Sequence, residues 1–175
     1  EGVDCSVDAQ LIPSTILNMD FFDVFRTEGL VGTNEHVKKC MIEHHGGIEV
    51  DNILLDAIVN PESEHMVAIP EAHRSEFIFR LFQVMFVGGA MHQRSDDCGD
   101  YLKMTRKLYK ELLTVHRNAR SSAIQISSDV YEIRDQETES GRLFPRASEH
   151  NRCFIIIDRV KRFVTVIYAP HQPFW

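Results

Sequence analysis

Long apolar runs are missing from this chain. The longest uninterrupted ones, residues 84–87 and 154–157, fall far short of the ~18–20 residues that a bilayer-spanning helix needs. No charged, then apolar, then small-residue signal peptide opens the chain either. Together these absences predict a cytosolic protein with no membrane partner. Cysteine is sparse and scattered: Cys5, Cys40, Cys98 and Cys153 form no CxxC pair. That argues against a zinc ribbon, a thioredoxin-like motif and a disulfide framework, and predicts reduced, mostly buried thiols.

An excess of positive charge is also lacking. Nineteen Lys and Arg face 26 Asp and Glu, for a net charge of −7 and a pI near 5.7, whereas duplex nucleic acid requires a basic surface. Internal repeats, low-complexity tracts and a long flexible linker are absent. The first residue is Glu1 rather than Met, which predicts trimming or processing of the N-terminus.

What is present is ordinary globular composition, 43% hydrophobic and 26% charged over 175 residues. It predicts one folded α+β domain, with helices first and a mostly antiparallel sheet built largely by the last third. Leu17, Phe21, Val24 and Phe25 recur at helical spacing between a Ser14 cap and Gly29. Asn34 caps a second helix that ends at Gly46-Gly47, and Asp51 starts a third that stops before Asn60-Pro61. Residues 62–72 read as a connector.

Between residues 75 and 87 only Arg80 and Gln83 interrupt the apolar residues. With His73 and Glu76 they would form one narrow polar stripe, so this helix is expected at the centre of the fold, packed on the sheet. Gly88-Gly89-Ala90 would end it. A helix over residues 100–118 follows, with Tyr101, Thr105, Leu108, Leu112 and Val115 on one face and Lys103, Arg106, Lys107 and Lys110 on the other.

Period two then replaces period 3.6. Ile124, Ile126, Val130, Tyr131 and Ile133 predict a strand bulged near residues 127–129, and residues 136–142 a surface loop. Residues 153–157 and 163–168 predict an antiparallel hairpin with both faces of at least one strand covered. The core is expected at Phe79, Phe82, Leu108, Ile126, Ile156 and Val166.

Chemistry is harder to find. Neither phosphate-loop pattern nor GxSxG occurs. His44-His45 are adjacent and would diverge on a helix, unlike the i, i+4 pair of HExxH. Asp96, Asp97 and Asp100 suit a helix N-terminus better than an EF-hand loop, whose spacing is missing. Glu149-His150, Cys153 and Asp158 are the best local set of base, thiol and carboxylate. A Cys-His site needs an exposed thiolate, and Cys153 opens an apolar strand. No catalytic, metal or cofactor residues are assigned. Two basic elements remain as candidate partner-binding surface: the helix face above, and Arg159, Lys161 and Arg162 in the hairpin turn. Trp175, the only tryptophan, joins them because aromatics are enriched at interface hot spots.

One longer pattern is specific. Glu76-Phe77-Ile78-Phe79-Arg80-Leu81-Phe82, Gly88-Gly89-Ala90, Tyr101-Leu102, Thr105, Lys107-Leu108-Tyr109-Lys110 and Ile124-Gln125-Ile126 follow one another in order. Pro145, Ala147, His150, Phe154, Asp158, Arg162, Val166 and Tyr168 continue the string, and Phe21-Phe22, His36-Val37 and Lys39-Cys40 precede it. This string resembles the cilia- and flagella-associated protein 300 family from about Ile12 onward. Members have a further N-terminal region, so the resemblance implies that these residues are the C-terminal portion of a longer chain.

The resemblance implies a non-enzymatic cytoplasmic factor for assembling the outer and inner dynein arms of motile cilia and flagella. Its implied partners are axonemal dynein subunits, chaperone-linked assembly factors of the Kintoun type and the intraflagellar transport machinery, in the cytoplasm and at the axoneme. No catalytic motif comes with the family. The alternative is a small enzyme or ligand-binding domain using His150, Cys153 and Asp158.

Overall fold

The computed structural model of the chain describes residues 7–89, 94–118, 122–135 and 143–172. In chain order its elements are β1 (Val7–Ile12), α1 (Val24–Thr27), β2 (Lys39–His45), β3 (Ile48–Asn52), α2 (Ile53–Val59), α3 (Glu71–Ser75), α4 (Phe77–Val87), α5 (Cys98–Leu112), β4 (Val115–Arg117), β5 (Ile124–Ile126), β6 (Ser128–Asp135), β7 (Arg152–Asp158) and β8 (Phe163–Ala169). Short 3-10 turns over Met19–Asp23 and Met66–Ala68 complete them. The architecture is α+β, with a sheet made mostly by C-terminal strands. Two compact units divide the chain, Glu1–Thr15 with Lys110–His171 and Ile16–Tyr109 with Gln172–Trp175.

The unit holding Ile16–Tyr109 is organised around α4. Eleven residues of almost unbroken apolar sequence bury Phe77, Ile78, Phe79, Leu81, Phe82, Phe86 and Val87. Phe82 is the hub of an aromatic chain, with ring centroids 5.3 Å from Phe22, 5.2 Å from Phe25 and 5.2 Å from Phe86. Phe86 continues it to Tyr101 at 4.9 Å. Such tilted, stacked and edge contacts add to the area each ring removes from water. The helix ends at Gly88, whose φ of 63° and ψ of −152° suit only a residue without Cβ.

Several expected boundaries move. The predicted stripe of His73, Glu76, Arg80 and Gln83 is broken, because Glu76 is extended with ψ 140° and separates α3 from α4. The helix expected from Ser14 is a 3-10 turn from Met19 followed by the four-residue α1, and Leu17 is exposed.

The helix expected from Asn34 to His45 is instead strand β2. Gly46 and Gly47 both have positive φ, 57° and 80°, and sit between the paired residues His45 and Ile48. A two-residue turn of that kind matches the strand twist and closes a hairpin. The third helix is α2, where the Asn52 side chain accepts a hydrogen bond from Leu55 N–H and caps it.

The other unit is built on a sheet of order β1-β6-β7-β8, every pair antiparallel. Its N-terminal strand β1 has no counterpart in the sequence expectations. The expected bulge is a change of sheet: β5 pairs with β4 while β6 pairs with β1 and β7. At the switch, Ser127 N–H and hydroxyl both donate to the Thr114 carbonyl, and Thr114 N–H donates to the Ser128 hydroxyl. The helix expected to run to residue 118 therefore stops at Leu112, and Val115–Arg117 is strand.

Strand β7 is covered on both faces, with Cys153 and Phe154 buried in succession. Strand β8 is an edge. Phe79, Phe82 and Ile156 are buried, Leu108 and Ile126 half-buried, and Val166 is 59% exposed. Val166 is not a core residue: on its side of β8, Phe144 stacks on Tyr168 two residues further on, and Val166 itself stays in water.

Candidate functional site

The residues proposed for chemistry separate. Cys153 and Asp158 lie five positions apart on one strand, hence on opposite faces and about 16 Å from each other along it. Cys153 is packed with Ile133 and Phe144, and burial pushes its thiol up. Cys98 is pushed up to about 12 by burial and then by Asp97 and Glu35, and burial raises Cys40 as well. None of these three thiols is a thiolate at neutral pH, so none is a ready nucleophile.

Asp158 serves the β7–β8 turn instead. Its Oδ1 accepts from Lys161 N–H at 2.8 Å and Val160 N–H at 2.9 Å, and its Oδ2 accepts from the Thr114 hydroxyl. The Lys161 and Thr114 donors hold the carboxyl below its ordinary range against the opposing effect of burial.

His150 turns to a partner that the sequence reading missed, His171. The two rings meet edge to face at 5.3 Å, and Ser148 Oγ lies 3.3 Å from His171 Nδ1. His171 N–H donates to Asn151 Oδ1 at 2.8 Å. Burial, then His171 and Arg152, lower His150 to about 4, so the imidazole is neutral at physiological pH. No local sequence motif joins positions this far apart; the return of β8 alongside β7 does.

The acidic cluster before α5 has divided duties. Asp97 Oδ1 accepts Gly99 N–H at 2.8 Å, which is a helix-start contact. Asp96 and Asp51 both bind the Lys39 ammonium, at 2.5 and 2.7 Å, and raise its pKa. Burial pushes the Asp51 carboxyl up, but the hydrogen bonds from Lys39 and Asn52 outweigh it and leave it lowered. No group of three or more His, Cys, Asp and Glu among the described residues is arranged to hold a metal ion. No helix among them is long and apolar enough to cross a membrane.

Surface is where the candidates converge. Lys103, Arg106, Lys107 and Lys110 are all exposed on α5, and steps of 100° per residue gather them within an arc of about 100°. Asp100 takes the edge of that stripe, 3.3 Å from Lys103. Arg159, Lys161 and Arg162 are exposed in the β7–β8 turn, Arg159 paired with Asp129 at 2.5 Å and Lys161 3.8 Å from Asp158. Trp175 and the loop over residues 136–142 lie outside the described residues.

A second surface was not anticipated. Register places Leu11, Tyr131, Ile155 and Val166 side by side across all four strands, on the face opposite Phe154 and Ile156. Both ends of that row are 59% exposed. The sequence signal for it is that β8, FVTVIYA, carries no charged residue.

The profile described as cilia- and flagella-associated protein 300 matches residues 3–169. The chain belongs to that family. This family member is 34% identical to cilia- and flagella-associated protein 300 of Chlamydomonas reinhardtii over 99% of its own length and 69% of the relative's. It is 30% identical to the protein of the same name from Paramecium tetraurelia, over 91% of its length and 61% of the relative's. It thus spans about two thirds of the length of these curated relatives. No solved structure matches it.

Proposed function

We propose that this chain is a non-enzymatic assembly or adaptor factor for the outer and inner dynein arms of motile cilia and flagella, acting by protein–protein binding. The observation that carries the reading is the family match over residues 3–169, since the family's name ties its members to cilia and flagella. The proposed partners are axonemal dynein subunits and chaperone-linked assembly factors of the Kintoun type, with the intraflagellar transport machinery as carrier. Cytoplasm and axoneme are the proposed locations.

Two features support binding over catalysis. The three described thiols are held protonated by their surroundings. The α5 stripe concentrates four cations on a chain of net charge −7, a local field that acidic segments of a partner would meet by charge complementarity.

Affinity purification from ciliated cytoplasm tests the reading. The wild-type chain should retain dynein chains or co-chaperones, and the triple variant Lys103→Glu, Lys107→Glu, Lys110→Glu should retain less. Stability should shift by only about 0.5 kcal/mol per exposed position. If the wild-type chain retains neither class of protein, the assembly role is wrong; if the variant retains both undiminished, the stripe is not the surface used.

A further inference from the structure

The two edges of the four-stranded sheet differ. Edge strands present unpaired backbone groups, and proteins commonly blunt them with charge, proline, bulges or shortness. Strand β1 carries Asp8 and is followed by Pro13. Strand β8 has no such charge within its length, and Pro170 follows it as Pro13 follows β1. Its sequence FVTVIYA lacks charge and proline, and seven consecutive residues pair with β7 in unbroken register. Val164, Val166 and Tyr168 are 58%, 59% and 47% exposed. Among the described residues, no backbone hydrogen bond joins β8 to anything outside its ladder with β7.

We infer that β8 is a docking edge for an extended segment of a partner protein, which adds antiparallel as a fifth strand and carries carboxylates at the end facing the β7–β8 turn. The backbone dictates the extended form, because only a strand satisfies a row of outward N–H and C=O groups. The sheet face dictates alternate apolar residues: opposite Val166, an incoming side chain would extend the row Leu11, Tyr131, Ile155 and Val166. Charge dictates the end. Lys161 and Arg162 are exposed beside Phe163, and the Lys161 ammonium stands 5.8 Å from the Phe163 ring centroid. Asp158 does not neutralise Lys161 closely, at 3.8 Å, because its oxygens are already engaged by Thr114 and two turn amides. In an antiparallel pair the partner's C-terminal end meets this site.

The inference shares the turn cations with the binding role proposed above, but does not depend on dynein chains or co-chaperones being the partners. Failure to retain those proteins from cytoplasm would leave the following peptide experiment unaffected.

The probe is a labelled ten-residue peptide of alternating Val and Thr ending in Glu-Glu, titrated against the whole 175-residue chain. Binding should slow hydrogen exchange at alternate amides of β8, those that point away from β7. N-methylation of the peptide's ladder-facing amides should weaken binding at least ~10-fold, the loss of more than one net main-chain hydrogen bond. Lys161→Glu with Arg162→Glu should reverse the preference from a Glu-Glu tail to a Lys-Lys tail, a difference that shrinks with added salt.

Equal binding of the N-methylated peptide, protection confined to amides outside β8, or an unchanged tail preference would each overturn the inference. Concentration-dependent protection of β8 without peptide would assign the edge to a second copy of this chain and overturn the partner assignment.

Discussion

His150 shows how one side chain couples burial to pH. Its folded-state pKa is lowered to about 4 from an ordinary 6.5 by burial, with His171 and Arg152 adding to the effect. Between those values the unfolded chain takes up a proton that the folded chain refuses, so stability is full above pH 6.5 and falls as pH drops towards 4. The loss over that window is roughly 3 kcal/mol for this one group, and His171 is shifted in the same direction. His150→Asn is expected to flatten the acid side of the profile. Urea midpoints measured at pH 7 and pH 4.5 check this, and parallel losses in variant and parent would refute it. The same residue explains why no Cys-His pair forms: its ring packs edge to face on His171 and its backbone N–H donates to Ser148 Oγ, while Cys153 is enclosed by Ile133 and Phe144.

At the scale of elements, α4 and β8 have similarly apolar sequences and opposite fates. Phe82 is fully buried among Phe22, Phe25, Phe79 and Phe86. Phe82→Ala should cost about 3–5 kcal/mol through lost transfer energy and the cavity left behind. Val166→Ala on β8 should cost under about 1 kcal/mol, because the side chain is already largely in water. Chemical denaturation of both variants checks the contrast, and equal costs would mean that one of the two environments is misassigned.

This contrast marks where the sequence could be read. Periodicity identified α2, α4, α5 and the β7–β8 hairpin, because each has a cap, a stop or a period of its own. It could not show that β8 is an edge, since edge status depends on which strands line up beyond it. Nor could it place β1, which gains its meaning from β6, or identify β2, whose strand conformation is imposed by the Gly46-Gly47 turn. The α5 cations were legible because helical spacing alone sets their arc, whereas the Leu11–Val166 row requires the register of four strands.

At the scale of the molecule, β1 pairs along its whole length with β6, from Val7 opposite Asp135 to Ile12 opposite Val130. Deleting residues 1–12 removes that ladder and leaves the buried Val130 and Ile133 strand as a new edge. Amides of β6 are expected to lose exchange protection in the deletion variant, while those of α4 keep theirs. Undiminished β6 protection would mean that the first strand contributes little to the sheet.

The same pairing sets an order of events during synthesis. The first strand leaves the ribosome long before its partner exists, so Leu11 and Ile12 must wait through the whole of Ile16–Tyr109 for β6 to arrive. The helical stretch in between can gather its aromatic cluster from sequence already made. The sheet is then the late step, and it is complete only when β8, the strand with the open edge, has emerged. Strand β1 stays unpaired until β6 has been made, which makes the interval before sheet closure the one in which a chaperone would be of most use.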